Sequence, residues 1–303
     1  MNRYPVILFI IITAFLSGCP AKHASPDNLT GYDLTYSDRT EILPGILHEI
    51  SGITFINSTT IGCIQDEKGI LFIYDLASNE IQRQVTFFSN GDYEGIARVG
   101  DTIYVLRSDG TLYEIAGYNT DSIVVEPVPT GITAKDSEGL CYDKDRHRLL
   151  IAPKENPLRG PGSKDSRIIY DFNLKTMKLA DEPAYDFSIE ALKDFATGNK
   201  VMLPLKSKKK KQSAEPVLKF RPSAICIHPL TKDIYVLSSE DYMLFVFSTL
   251  GVIKNLFLLN PLVFRQPEGI TFLENGDMLI SNEGQSKTPA TLLRFNYHPK
   301  TTR

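Results

Sequence analysis

The sequence predicts an all-β protein, a β-propeller of five blades with a helical insertion in the third blade. A short motif with a small residue at its centre occurs five times, at intervals of 43, 44, 85 and 45 residues. Two further β-rich runs follow each copy, with turn signals between them. Four short antiparallel strands in a period of 40 to 45 residues is typical of a propeller blade.

The repeated motif is a polar or charged residue, a small residue and a short apolar run, and it predicts the first strand of each blade. The five copies are residues 50–55, 93–97, 137–142, 222–227 and 267–272, with Gly52, Gly95, Gly139, Ala224 and Gly269 as the small residues. A glycine at this position lets neighbouring backbones approach closely.

The second and third strands of each blade are predicted from the β-rich runs after each motif. The second runs are residues 61–65, 103–106, 149–152, 234–237 and 278–281, and the third are 70–74, 111–115, 167–170, 243–247 and 291–295. Weaker runs at 81–87 and 122–128 indicate outer strands. We expect residues between Asp33 and Leu43 to supply the outer strand of the last blade and so close the ring.

The interval of 85 residues has two explanations, a sixth degenerate blade or an insertion in the third blade. Residues 186–198 have helical periodicity, with Ser188 as the expected N-cap, and the lysine-rich residues 206–211 are expected to form an exposed loop. Neither segment contains a further copy of the motif. Five blades with an insertion are therefore favoured, and six blades remain the alternative.

The N-terminal residues predict export and lipid anchoring. Asn2 and Arg3 precede an apolar run too short to span a bilayer, and residues 16–19, Leu-Ser-Gly-Cys, resemble the lipobox of bacterial lipoproteins. We expect a signal peptide at 1–18, a lipidated Cys19 with a tether at 19–32, and a single propeller domain at 33–303. An uncleaved signal anchor, or a plain signal peptide with an incidental cysteine, is the alternative.

The expected location is the cell envelope, with the protein lipid-anchored at the outer membrane and facing the periplasm. Pro20 follows the cysteine, in place of the Asp that often retains such proteins at the inner membrane. The remaining cysteines, Cys63, Cys141 and Cys226, lie in apolar β-like runs, so we expect buried free thiols.

The propeller geometry predicts an acidic channel mouth. The residue before each small motif residue should approach the axis, and in three blades it is a glutamate: Glu94, Glu138 and Glu268. A second set of acids lies near the ends of the second strands, at Glu67, Asp109, Glu155, Glu240 and Glu283. Arg107 and Lys154 are candidate counter-ions. Crowded carboxylates without His or Cys favour Ca²⁺ or Mg²⁺, and an open mouth favours Ca²⁺. The metal candidates are Glu94, Glu138, Glu268, Glu155 and Glu283.

Several function classes are disfavoured. The 33 basic against 36 acidic side chains give no reason to expect nucleic-acid binding. The chain has no HExxH, GxSxG, Walker or GxGxxG motif, and its five histidines are scattered.

The motifs together resemble the SdiA-regulated (YjiK-like) protein family, itself distantly similar to NHL-repeat propellers. The resemblance rests on the five motif copies, with Asp92-Tyr-Glu-Gly-Ile96 and Gln266-Pro-Glu-Gly-Ile-Thr-Phe272 the most complete, and on Ile280-Ser-Asn-Glu283. It implies a five-bladed propeller with a calcium site and no established catalytic activity.

Three functions follow as expectations. The first is a monomeric binding module, anchored to the membrane by lipid alone, whose mouth binds calcium and an unidentified small molecule or protein. The second is a calcium-dependent hydrolase, lactonase- or phosphoesterase-like, which uses the channel metal. The third is a protein-binding scaffold in which calcium only rigidifies the ring.

Overall fold

A computed structural model describes residues 31–155, 165–207 and 214–299, and these form five small sheets in a ring. Strand β1 is Arg39–Ile42, and a 3-10 helix follows at Gly45–Leu47. The first blade contains β2 (Ile50–Phe55), β3 (Thr60–Gln65), β4 (Ile70–Asp75) and β5 (Glu80–Thr86). The second contains β6 (Tyr93–Val99), β7 (Thr102–Arg107), β8 (Thr111–Ala116) and β9 (Val124–Pro129).

The third blade is the largest. It contains β10 (Ser137–Asp143), β11 (Arg148–Pro153), β12 (Ser166–Asn173), β13 (Lys178–Leu179) and β14 (Tyr185–Ser188). Helix α1 (Ile189–Gly198) and a hairpin of β15 (Leu205–Ser207) and β16 (Ala214–Pro216) follow.

The last two blades complete the ring. The fourth contains β17 (Ala224–Ile227), β18 (Ile234–Ser238), β19 (Met243–Phe247) and β20 (Ile253–Leu258). The fifth contains β21 (Pro267–Phe272), β22 (Met278–Asn282) and β23 (Thr291–Phe295), with β1 as its outer strand. The prediction that residues near the N-terminus close the last blade is confirmed by the pairing of Arg39 with Arg294 and of Ile42 with Thr291.

The long interval is an insertion, as predicted. Within the described residues between the third and fourth blades, the chain adds α1 and the hairpin rather than a sixth four-stranded sheet. The helix begins at Ile189, three residues later than expected, because β14 pairs with β12. Ser188 is the N-cap, as predicted, and its hydroxyl accepts a hydrogen bond from the Ala191 N–H. In the lysine-rich run, Lys206 lies in β15 rather than in a loop, and residues 208–211 lie outside the described residues.

The core lies between blades. Each pair of neighbouring sheets encloses its own cluster of buried apolar side chains, so five clusters alternate with five sheets around the ring. The inserted helix adds Leu192 and Ala196 to the cluster between the third and fourth blades. The inner strands are therefore buried on both faces of each sheet, whereas the outer strand β5 alternates exposed with less exposed residues.

Tyr32 locks the N-terminal segment onto the ring, although the sequence placed it in the tether. Its side chain is buried, and its hydroxyl donates to the Gly276 carbonyl. His228 Nδ1 accepts from two backbone N–H groups, so Nε2 carries the proton and donates to the Tyr32 hydroxyl at 2.7 Å. Burial lowers the pKa of His228 to about 4. The histidine is therefore a neutral structural group at physiological pH.

Candidate functional site

The residue before the small motif residue is the extra residue of a β-bulge. The register of the inner strand shifts at this point in four blades, so that Ser51, Glu94, Glu138 and Glu268 have no partner in the neighbouring strand. A bulged residue leaves the ladder and can aim its side chain elsewhere. These four residues and Ser223 of the fourth blade line the narrow part of the channel, and we call them the bulge ring.

Close packing of the inner strands makes this part of the channel narrow. A Cβ on Gly95 would lie 2.7 Å from the Glu138 carbonyl oxygen, so only glycine fits there. The free space within the ring is about 10 Å³. Such a volume holds about one water-sized group.

Two members of the bulge ring connect blades. Ser51 Oγ donates to the Tyr93 carbonyl at 2.6 Å, and Ser223 Oγ donates to the Pro267 carbonyl at 3.2 Å. Each serine thus bonds to the first residue of the next inner strand, and its role is structural. The three glutamates remain as the members that can bind a ligand.

A second ring lies at the same mouth, because an inner strand and its antiparallel neighbour bring opposite ends together. The first residue after each second strand is Asp66, Ser108, Lys154, Ser239 or Glu283, and we call these the strand-end ring. In four blades its backbone N–H donates to a carbonyl just before the neighbouring inner strand, as Lys154 does to Asp136 at 2.7 Å. This bond fixes the backbone position of each of these four residues.

The two rings meet through direct hydrogen bonds. Lys154 Nζ donates to Glu138 Oε1 at 2.9 Å, and Ser239 Oγ donates to Glu268 Oε1 at 3.2 Å. Glu138 is 5% exposed. Lys154 also interacts electrostatically with Glu94 and Glu268. One ammonium therefore faces the carboxyls of all three bulge-ring glutamates.

The pKa values of all three bulge-ring glutamates are raised. Burial, followed by repulsion from Glu138, raises the pKa of Glu94 to about 9 and that of Glu268 to about 8. Burial also raises the pKa of Glu138, but Lys154 opposes this shift. Burial would lower the pKa of Lys154, and attraction to Glu138 raises it instead. At neutral pH the cluster therefore holds protons as well as an ammonium.

The remaining predicted residues lie nearer the rim. Glu155 accepts from Arg221 at 2.9 Å, and the same arginine bonds Glu240. Arg107, a candidate counter-ion, pairs with Asp109 at 2.6 Å. This ion pair joins the last residue of β7 to the turn that follows it. Glu283 belongs to the strand-end ring and accepts from Gln266. Burial and the neighbouring Asp66 raise the pKa of Glu283.

In four blades the second acidic set, Glu67, Asp109, Glu155 and Glu240, lies one residue beyond the strand-end ring. In the third and fourth blades the side chains that bond the bulge-ring glutamates are those of the residues one earlier, Lys154 and Ser239. Only in the fifth blade was the strand-end residue, Glu283, selected. A slip of one residue turns a side chain to the opposite face. The end of each second apolar run was the signal available in the sequence, because the strand-end residue follows that run directly.

Two further acids were missed. Asp66 has a pKa raised to about 6 by burial and by repulsion from Glu49, and Asp92 interacts with Glu94 and Glu138. The repeated Asp-x-Glu spacing of Asp92 and Glu94, and of Asp136 and Glu138, was the visible signal.

The donor chemistry of the mouth suits a hard cation. The side chains at the two rings offer carboxylate and hydroxyl oxygens, which Ca²⁺ prefers. Within the described ranges, however, no group of three or more His, Cys, Asp and Glu side chains is arranged to hold a metal ion. The Lys154 ammonium bonds Glu138, so a metal ion would have to displace it.

The structure resembles those of several enzymes. Glutaminyl cyclase from Myxococcus xanthus is 14% identical with a TM-score of 0.55, over 88% of this chain and 97% of that one. A luciferin-regenerating enzyme (10% identity, TM-score 0.48) covers 85% of this chain and 95% of its own. Virginiamycin B lyase from Staphylococcus aureus is 12% identical with a TM-score of 0.44, over 85% of this chain and 72% of that one. No family model matches the sequence, and no curated protein matches it.

The chain is a five-bladed β-propeller. Likeness to the cyclase at this level of identity shows the fold alone. The comparisons give no sequence support for the SdiA-regulated family, so that resemblance remains a prediction. None of the helices in the described part of the chain is long and apolar enough to cross a bilayer.

Proposed function

We propose that this propeller is a binding module whose channel mouth binds a cationic group, with Ca²⁺ as the cation expected from the sequence. One observation carries the proposal: carboxyls from three blades converge on a narrow channel and share one ammonium, that of Lys154. Other close acids, Asp66, Asp92 and Glu283, add to the negative charge.

The charge balance explains why a cation would bind. Three ionised glutamates facing one ammonium would carry an excess of negative charge. When no cation neutralises this charge, the carboxyls retain protons. A calcium ion would supply the missing positive charge. Glu94, Glu138 and Glu268 would hold it, and protons would leave Glu94 and Glu268 as it binds.

Calcium should raise the melting temperature of the full chain at pH 7.5. The ion binds the assembled ring and not the unfolded chain, and a dissociation constant of roughly 10⁻⁴ to 10⁻³ M suffices in a calcium-rich medium. Replacing Glu94 by Gln should remove most of the calcium-induced shift. The matched control is Glu80→Gln, on the exposed outer strand of the first blade, which should keep the full shift. Calorimetry that shows no shift in the wild type, or an equal shift in Glu94→Gln, would refute calcium binding at the mouth.

We further propose that the module is lipid-anchored through Cys19 in the cell envelope, at the outer membrane. Cys19 lies outside the described residues, and the support is the lipobox-like sequence at 16–19. Mass spectrometry of the N-terminal peptide should show a diacylated or triacylated Cys19. An intact Met1, or membrane association that survives Cys19→Ala with normal signal processing, would contradict the anchor.

A calcium-dependent hydrolase is the second candidate, favoured by the protonated carboxyls. Glu94 and Glu268 have pKa values of about 9 and about 8, which keep a carboxylic acid available as a proton donor near neutral pH. Turnover of lactones or phosphate esters that requires calcium and is lost in Glu94→Gln would favour this candidate over binding alone.

A further inference from the structure

The opposite end of the channel contains a separate feature. Beyond the bulge ring, the ends of the inner strands enclose a cavity of about 180 Å³. Two residues after each small motif residue, the chain places Thr54, Ala97, Cys141, Cys226 and Thr271 around its wall. Two thiols, two hydroxyls and one methyl group therefore form a ring there.

The two thiols are neighbours in this ring. Cys141 lies on β10 and Cys226 on β17, the inner strands of the third and fourth blades, and the two thiols interact with each other across the blade boundary. Each thiol also donates to a backbone carbonyl, Cys141 to that of Tyr142 at 3.7 Å and Cys226 to that of Ile227 at 3.9 Å. Cys141 is buried and Cys226 is half-buried at the cavity wall. The third cysteine, Cys63, is buried in the core between the fifth and first blades.

The surroundings of Cys226 favour its thiolate. The Thr271 hydroxyl accepts a hydrogen bond from the Phe55 N–H at 3.1 Å, so its proton is free to bond the Cys226 sulfur. The interaction with Cys141, followed by the hydrogen bond from Thr271, lowers the pKa of Cys226 although burial opposes this shift. The thiolate is the reactive form of cysteine, so Cys226 is the first to react.

We propose that Cys141 and Cys226 are a redox-active dithiol, which a peroxide entering the cavity converts to a disulfide between the third and fourth blades. The Cys226 thiolate attacks one peroxide oxygen, and the O–O bond breaks. Hydroxide departs from the peroxide, and Cys226 becomes a sulfenic acid. The Cys141 sulfur then attacks the sulfenic sulfur, the S–S bond forms, and the hydroxyl leaves as water with the Cys141 proton. The two sulfurs lose two electrons in total, and the peroxide gains them.

Peptide mapping of the peroxide-treated full chain tests the dithiol. After treatment with hydrogen peroxide, unfolding and alkylation, we expect a peptide pair joined through Cys141 and Cys226. The melting temperature of the oxidised chain should rise, because the bond closes a long loop in the unfolded state. The Cys63→Ala variant should behave in the same way. In Cys141→Ala, Cys226 should stop at the sulfenic acid, which dimedone traps.

Two outcomes would overturn the dithiol proposal. One is that Cys141 and Cys226 both remain fully alkylated after peroxide treatment. The other is that Cys63 oxidises at least as fast as Cys226, since the proposed activation is specific to the cavity. Dimedone trapping in Cys141→Ala keeps the test decisive if the disulfide itself forms slowly.

Discussion

Replacing Lys154 by Met should destabilise the propeller by about 2 to 3 kcal/mol at pH 8, because it leaves the buried Glu138 carboxylate without its ammonium. The side chain of Lys154 is 37% exposed, so solvent screening places the loss at the low end for such pairs. The loss should shrink at pH 5, where Glu138 can bind a proton instead. Urea unfolding at the two pH values measures both.

The control for this loss is Lys144→Met, in the exposed turn of the same blade, which should change stability little. The double variant Lys154→Met with Glu138→Gln should recover part of the lost stability, since neither charge remains. An unchanged stability of Lys154→Met at pH 8 would show that the ammonium does not neutralise the cluster.

Replacing Glu268 by Gln should stabilise the metal-free protein at pH 8, by about 2 kcal/mol after allowance for screening. The pKa of Glu268 is about 8 in the folded protein against 4.5 ordinarily, so the folded state binds the proton more tightly. Wild-type stability therefore contains a contribution that is present below pH 4.5 and is lost as the pH rises towards 8. Glutamine removes the ionisation and hence this loss.

Denaturant unfolding from pH 5 to pH 9 measures the effect. The wild type should lose stability across this range more steeply than Glu268→Gln, while Glu126→Gln, at an exposed carboxyl, should follow the wild type. A lower stability of Glu268→Gln at pH 8 would mean that the ionised carboxylate, hydrogen-bonded by Ser239, stabilises the fold.

The repeat made most of the fold predictable from sequence. Each motif copy carries its own turn signals and its own apolar run, so strand order and blade number follow from local chemistry. The start of α1 was wrong because Tyr185–Ser188 pairs with β12, a contact that local periodicity does not encode. The burial of Tyr32 was not predictable from its neighbours in the sequence, because it depends on His228, about two hundred residues away in the chain.

The site was predictable in part. The three glutamates were identified because they occupy one position of a repeat, and the bulge then explains why that position faces the channel. In four blades the predicted second set of acids lies one residue beyond the strand-end ring, because the last paired residue of a strand depends on the register of its neighbour. The sequence makes Lys154 a candidate counter-ion, but it does not show which of the glutamates the ammonium bonds.

The bulge-ring glutamates should form a proton-holding cluster that a cation can neutralise. Carbon-13 NMR titration of the side-chain carboxyls, assigned with the Gln variants, reports the protonation of each glutamate separately. Without metal, Glu94 and Glu268 should titrate near pH 9 and pH 8. With calcium at about ten times a millimolar dissociation constant, both pKa values should fall by about one unit or more. Ordinary titration near pH 4.5 in the metal-free protein would contradict the cluster, and raised pKa values unmoved by calcium would contradict cation binding there.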